Sequence, residues 1–306
     1  MRMRSTVFVL LFAVAGIGAT CRGEPKEQAT HPTGDVELPG VDTGDFTPRE
    51  KREFTQHVNT LSSPCASASA ASGASTAPSI AQCVRDKRRC SSCLEAARLI
   101  AKAVRDGLGS SQVAELYRER FDASSLRRIP LEGSPSRGPE DAPVVVVEFA
   151  DFECPYCQKL APQLDELWEK RKASVRFVYK FLPLPMHPNG EPAARAAIAA
   201  QMQGKFWEMH RELFANGLHL ETADLEGYAK AIGLDLDRFR VDMRSLEAGE
   251  RLRSDKKVAD ALGIKGTPTI FIDGREYDSK VGLDEWVDGE IVAAGKRPPS
   301  DARRDE

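Results

Sequence analysis

VVVVEFADFECPYC, residues 144–157, opens with an apolar run that no polar residue interrupts before Glu148. Such a run predicts a strand buried on both faces. Beyond it Leu160, Leu164, Leu167 and Trp168 recur at helical spacing, and Val175-Arg176-Phe177-Val178-Tyr179 restores strand propensity. The order is β-α-β, whose parallel connection should be right-handed, with the helix covering the sheet. Cys154 then falls at the helix start, where unpaired backbone N–H groups and the helix dipole can stabilise a thiolate. Cys157 lies one turn on, on the apolar side of Leu160 and Leu164, within reach of a mixed disulfide at Cys154. The residues thus predict Cys154 as nucleophile and Cys157 as resolving cysteine. Standing alone, a CxxC pair serves equally as a metal half-site or a structural disulfide.

Downstream, residues 191–263 read as mostly helical, with breaks at Gly217, Gly233 and Gly263. Phe206, Trp207 and Phe214 are expected to pack within this insertion rather than line a substrate surface. TPTIFIDGREY predicts two short strands across an Asp273-Gly274 turn, and GLDEWVDGEIVAAG a terminal helix. The sum is an α/β sheet carrying a helical insertion.

Three segments in order, VEFADFECPYC, the helical insertion and GIKGTPTIFIDG, resemble the thioredoxin-like superfamily, and within it the bacterial DsbA-like thiol:disulfide oxidoreductases, over residues 142–295. The resemblance implies a thioredoxin-like sheet, exchange with cysteine-containing protein substrates and a redox partner protein, and no cofactor. It also implies that Pro268, within Thr267-Pro268-Thr269, is a cis-proline facing the redox pair. Thr267 would then offer its backbone to an extended substrate, while Pro268 shapes the groove and keeps a metal from using both thiolates. Pro155 and Tyr156 fall on the substrate side of the pair. Many strongly oxidising members carry His where Tyr156 stands, which leaves the redox direction open. Glu148 matches a buried acidic position of the superfamily; a partly buried carboxylate there could relay a proton to or from Cys157 through water, the alternative being a solvated strand-end Glu. Asp151 and Glu153 are expected to turn negative charge toward the active-site loop, and His187 to be a surface-loop histidine.

The whole chain has 306 residues, 41% of them hydrophobic, and Lys+Arg 43 against Asp+Glu 46 gives a net charge of -3. A predominantly basic nucleic-acid binder is disfavoured. MRMRSTVFVLLFAVAGIGATC, with Arg2 and Arg4 ahead of a short apolar run, suits a signal peptide over residues 1–20 and a periplasmic or cell-envelope location. The run is short for a bilayer span. Of seven cysteines, Cys21 is the odd one; its context leaves lipidation, with membrane attachment, and cleavage elsewhere both open.

Residues 21–79 read as a flexible tether ending in an Ala/Ser-rich linker. Residues 80–130 read as a small helical module, 131–141 as a linker, 142–295 as the thioredoxin-like domain and 296–306 as a polar tail. In the module Leu94, Ala97, Ala101, Val104 and Leu108 share a helical stripe, and Ser110 or Ser111 can cap the next helix. Cys65, Cys83, Cys90 and Cys93 are expected to staple it through disulfides, in any of three connectivities. RRCSSC and its helix weakly resemble the dithiol module of CcmH-like proteins of cytochrome c maturation, over residues 88–121, which implies a Cys90–Cys93 relay as the lesser reading. A four-cysteine zinc site is a further alternative, with no metal site expected overall. Beside dithiol exchange stand three other functions: a thiol reductase or relay in cytochrome c maturation, a disulfide isomerase, and a non-catalytic thioredoxin-like binding module.

Overall fold

The unbroken valine run of residues 144–147 becomes the centre of a sheet. In a computed structural model, which describes residues 34–64, 78–86, 91–279 and 281–295, five strands run in the order β1-β3-β2-β4-β5. They are β1 Ser136–Arg137, β2 Val144–Ala150, β3 Val175–Phe181, β4 Thr269–Ile272 and β5 Arg275–Glu276. β2 pairs with β3 in parallel and with β4 antiparallel, so it is flanked on both edges and almost wholly buried. Asp273 and Gly274 both take positive φ, 48° and 79°, as a two-residue hairpin turn needs. The Asp273 carboxylate and backbone N–H meet the N–H and carbonyl of Val145, both at 2.8 Å, extending the β2 edge.

α5, Pro155–Arg171, joins β2 to β3 and buries Cys157, Ala161, Leu164 and Leu167. The insertion is five helices: α6 Gly190–Met202, α7 Phe206–Ala215, α8 Thr222–Ala231, α9 Leu236–Met243 and α10 Leu246–Leu262. Side-chain register divides the sheet. Arg137, Phe177, Tyr179, Val146 and Glu148 lie on one face, toward α5 and α7; Val147, Phe149, Val178 and Phe271 form the other core, with Ala259 of α10. On that side Lys180 and Asp255 make a fully buried ion pair at 3.0 Å, and Asp255 also accepts from the Phe181 N–H.

The stretch expected to be a flexible tether contains a helix, α1 Pro48–Thr60. Its N-terminus carries a full capping box, Thr47 with Glu50, and its buried side is Phe54, Thr55, His57 and Val58. One buried face of four residues, with Phe54 and Val58 as its apolar pair, is enough once α2 Ile80–Arg85, α3 Ser91–Arg105 and α4 Ser110–Phe121 are there to receive it. The cap of α4 is Gly109, not Ser110 or Ser111, and Gln112 reaches back to its N–H. The 131–141 segment, expected to be a linker, supplies β1, paired antiparallel with β3. Helices α1 to α4 share a hydrophobic core with Val144, Val146, Trp286 and Val287, the last two from the terminal helix α11 Leu283–Gly295. Arg120 of α4 is buried over the Trp286 ring and lies against Gly289, where a Cβ would meet its guanidinium at 2.6 Å.

Candidate active site

The chain leaves β2 at Ala150, turns through residues 151–153 and starts α5 with Cys154 as N-cap and Pro155 in the first turn, where a missing N–H costs nothing. The Cys154 N–H donates to the Asp151 carbonyl at 3.1 Å, and its carbonyl accepts from Gln158 N–H at 3.0 Å. Its Sγ donates to the Thr267 carbonyl at 3.4 Å, across 113 residues of sequence. The Thr267–Pro268 peptide bond is cis. The helix start and the end of the insertion therefore meet at the sulfur.

Cys157 is fully buried beneath Cys154, and both thiols are free. Burial pushes the Cys157 thiol up, and the Glu148 carboxylate beyond it adds to the effect. Glu148 is buried within the sheet rather than solvated at its end, and burial raises its carboxyl to about 8, partly opposed by Arg137. Its Oε1 has no protein hydrogen-bond partner.

The two acids before Cys154 face away from the role expected of them. Asp151 is buried and accepts from the N–H of Glu153 and of Leu184, at 2.9 and 2.8 Å, and pairs with His187 Nδ1 at 2.7 Å. Glu153 accepts from the Asn189 backbone at 2.5 Å and side chain at 3.2 Å. Both carboxylates thus latch the turn before Cys154 to the 184–190 loop, so their charge is spent on structure. His187, expected as a surface histidine, is the third member of this latch. Gly190 is required there, since a Cβ would sit 2.7 Å from Asp151 Oδ1.

Phe206 and Phe214 are buried and Trp207 is half-buried, as packing residues of the insertion. Tyr156 is 73% exposed, between the two buried cysteines in sequence. Reading by motif missed Arg137, whose guanidinium is sandwiched between the Trp168 and Trp207 rings, 4.4 Å from each, and bonds Asp165 at 2.5 Å. It also missed Tyr179 and His210; their signal was a Tyr in register with Glu148 and a His inside an aromatic helix.

Cys83 and Cys93 are joined by a disulfide. That bond corrects the Cys90–Cys93 relay and the four-cysteine zinc site, since Cys93 is tied to α2 rather than to its near neighbour. Cys21, Cys65 and Cys90, the 1–20 leader and the 296–306 tail lie outside the described residues. Among the described residues no helix is long and apolar enough to cross a membrane.

A sheet with a helical insertion and a CPYC dithiol at the start of α5, the helix after β2, defines a thioredoxin-like dithiol protein. The family model described as Thioredoxin matches residues 131–288, 158 of the 306, and the chain belongs to that family. BdbD from Bacillus subtilis, in its oxidised form, is 21% identical with a TM-score of 0.50, covering 55% of this chain and 97% of that one; this likeness is one of fold. A thioredoxin-like oxidoreductase from Silicibacter pomeroyi DSS-3 is 28% identical with a TM-score of 0.49, over 58% of this chain and 99% of that one. Among curated proteins, Na(+)/H(+) antiporter NhaA 3 of Salinispora tropica is 46% identical over 149 residues, 48% of this chain. NhaA of Herminiimonas arsenicoxydans is 41% identical over 148 residues. The chain spans only 23% and 24% of those two proteins, so their name describes chains mostly outside the matched part.

Proposed function

We propose that the chain is a thiol:disulfide oxidoreductase that exchanges disulfides with cysteine-containing proteins, with Cys154 as nucleophile and Cys157 as resolving cysteine. The observation that carries this reading is the meeting of Cys154 Sγ with the Thr267 carbonyl at the first turn of α5, with Cys157 buried one turn deeper. The Cys154 thiolate attacks a substrate disulfide. One substrate sulfur leaves as thiolate and takes a proton from solvent; the other remains bonded to Cys154. Cys157 then gives its proton to the Glu148 carboxylate and attacks Cys154 Sγ. The Cys154–Cys157 bond forms as the second substrate thiolate leaves. The protein's two thiols have lost two electrons and the substrate disulfide has gained them; the reverse sequence oxidises a substrate dithiol. Thr267 offers main-chain hydrogen bonding to an extended substrate, with Pro155, Tyr156 and Pro268 around it.

The same reading places the chain in the cell envelope, exported through residues 1–20, with Cys21 the candidate for a lipid anchor. The Cys83–Cys93 disulfide suits an oxidising compartment. Cys154 and Cys157 should interconvert together, as one two-electron couple, across a series of glutathione redox buffers read by thiol alkylation and mass spectrometry. A pair that stays unchanged across the series, or two cysteines that titrate separately, would contradict the reading.

A further inference from the structure

Three buried polar side chains follow one another on the Cys157 face of the sheet, Glu148 beside Tyr179 and Tyr179 beside His210, each with polar atoms that lack a protein partner. They are Glu148 through Oε1, Tyr179 through its hydroxyl, and His210 through both ring nitrogens. Glu148 and Tyr179 are cross-strand partners in register, so their side chains leave the sheet on the same side. The Tyr179 and His210 rings meet edge to face with centroids 5.4 Å apart. Apolar rings close the remaining sides: Phe152 stacks on Tyr179 at 5.2 Å, and Phe214 and Phe206 pack against His210 at 4.8 and 5.7 Å. Buried polar groups rarely go unpaired, and a polar contact longer than a direct hydrogen bond is bridged by water where two or more partners converge.

We propose that Glu148, Tyr179 and His210 share a buried water, and that hydrogen bonds through it make Tyr179 and His210 positioning residues for the proton that Glu148 exchanges with Cys157. This rests on the exchange reading above for its purpose. Tyr179 and His210 suit the task because both are neutral at working pH: burial lowers His210 to about 3 and raises Tyr179. A neutral hydroxyl and a neutral imidazole each offer a donor and an acceptor without adding a charge. The charged and titratable groups facing Glu148 are Arg137 from β1, Cys157 and Asp165 from α5 and Tyr179 from β3, with His210 from α7 behind the tyrosine. The Arg137–Asp165 pair is the least buried of these and marks the solvent side.

The test is an infrared titration of the Glu148 carboxyl band in the reduced full-length protein, assigned by its loss in Glu148→Gln. Tyr179→Phe keeps the ring and removes only the hydroxyl; His210→Phe removes both nitrogens; His210→Gln keeps a donor and an acceptor. The two Phe variants should bind the Glu148 proton roughly tenfold more tightly, because the carboxylate loses a donor, while His210→Gln stays near wild type. Unfolding in urea confirms that each variant is folded. Midpoints in both Phe variants that coincide with wild type would overturn the inference. Because the band is read without substrate, that failure is distinct from a failure of the redox couple in glutathione buffers.

Discussion

Glu148 and His210 lie on the same face of the sheet and are perturbed in opposite senses, which gives stability a pH optimum with two separately testable sides. Glu148 goes from 4.5 in the unfolded chain to about 8 in the fold. Between those values the unfolded state has already released the proton that the folded state keeps. Stability is therefore fully present below pH 4.5 and is lost as pH rises toward 8, in total on the order of 5 kcal/mol. His210 goes from 6.5 to about 3, so its contribution is present above pH 6.5 and is lost as pH falls toward 3. Urea unfolding across pH should show Glu148→Gln flattening the alkaline decline and His210→Phe the acid one. In rapid-mixing kinetics, Glu148→Gln should slow the step involving Cys157 more than the first attack by Cys154. A Glu148→Gln variant whose stability and kinetics both track wild type would remove the proton-relay role.

At the scale of elements, strands and cysteines were legible where one local pattern decided them. The valine run, the CPYC pair and the Asp-Gly turn each needed only a few adjacent residues, and each sits where the pattern put it. Helix α1 was not legible, because two Pro/Gly-rich turns precede it and its four buried residues make sense only against α3, 30 or more residues later. The latch was hidden for a different reason. Asp151 and Glu153 read as charge near a thiol, and only the return of residues 184–190 turns them into acceptors. The same dependence on distant partners sets the value of the Cys83–Cys93 bond, which closes a loop with a sequence separation of 10 between α2 and α3. Replacing both cysteines with Ala should cost about 2–3 kcal/mol in denaturant unfolding by the loop-entropy relation. It should leave disulfide exchange at Cys154 intact, since the bond is outside the dithiol site. A double variant as stable as wild type, or one without exchange, would contradict a purely structural bond.

The molecule as a whole joins a stapled helical layer to a redox sheet through shared core rather than through a tether. Among the described residues, helices α1 to α4, α11 and one face of the sheet share apolar packing around Trp286, the largest fully buried side chain, and Arg120 crosses from α4 to lie over it. The sequence could not reveal this joining, because burial by another layer looks the same in sequence as burial within one helix pair. At the redox pair Cys154 meets the Thr267 carbonyl, the latch holds the turn before it, and Tyr156, two residues on, is exposed. Among the described residues the free cysteines are the Cys154–Cys157 pair, at the meeting of α5 with the cis-proline loop, and capture of substrate is expected there. The direct test is to incubate the full-length Cys157→Ser protein with a disulfide-containing polypeptide and map covalent adducts by peptide mass spectrometry. A mixed disulfide should accumulate on Cys154 and disappear in a Cys154→Ser, Cys157→Ser double variant. Adducts on Cys65 or Cys90 with Cys154 unmodified, or no adduct at all, would contradict capture at Cys154.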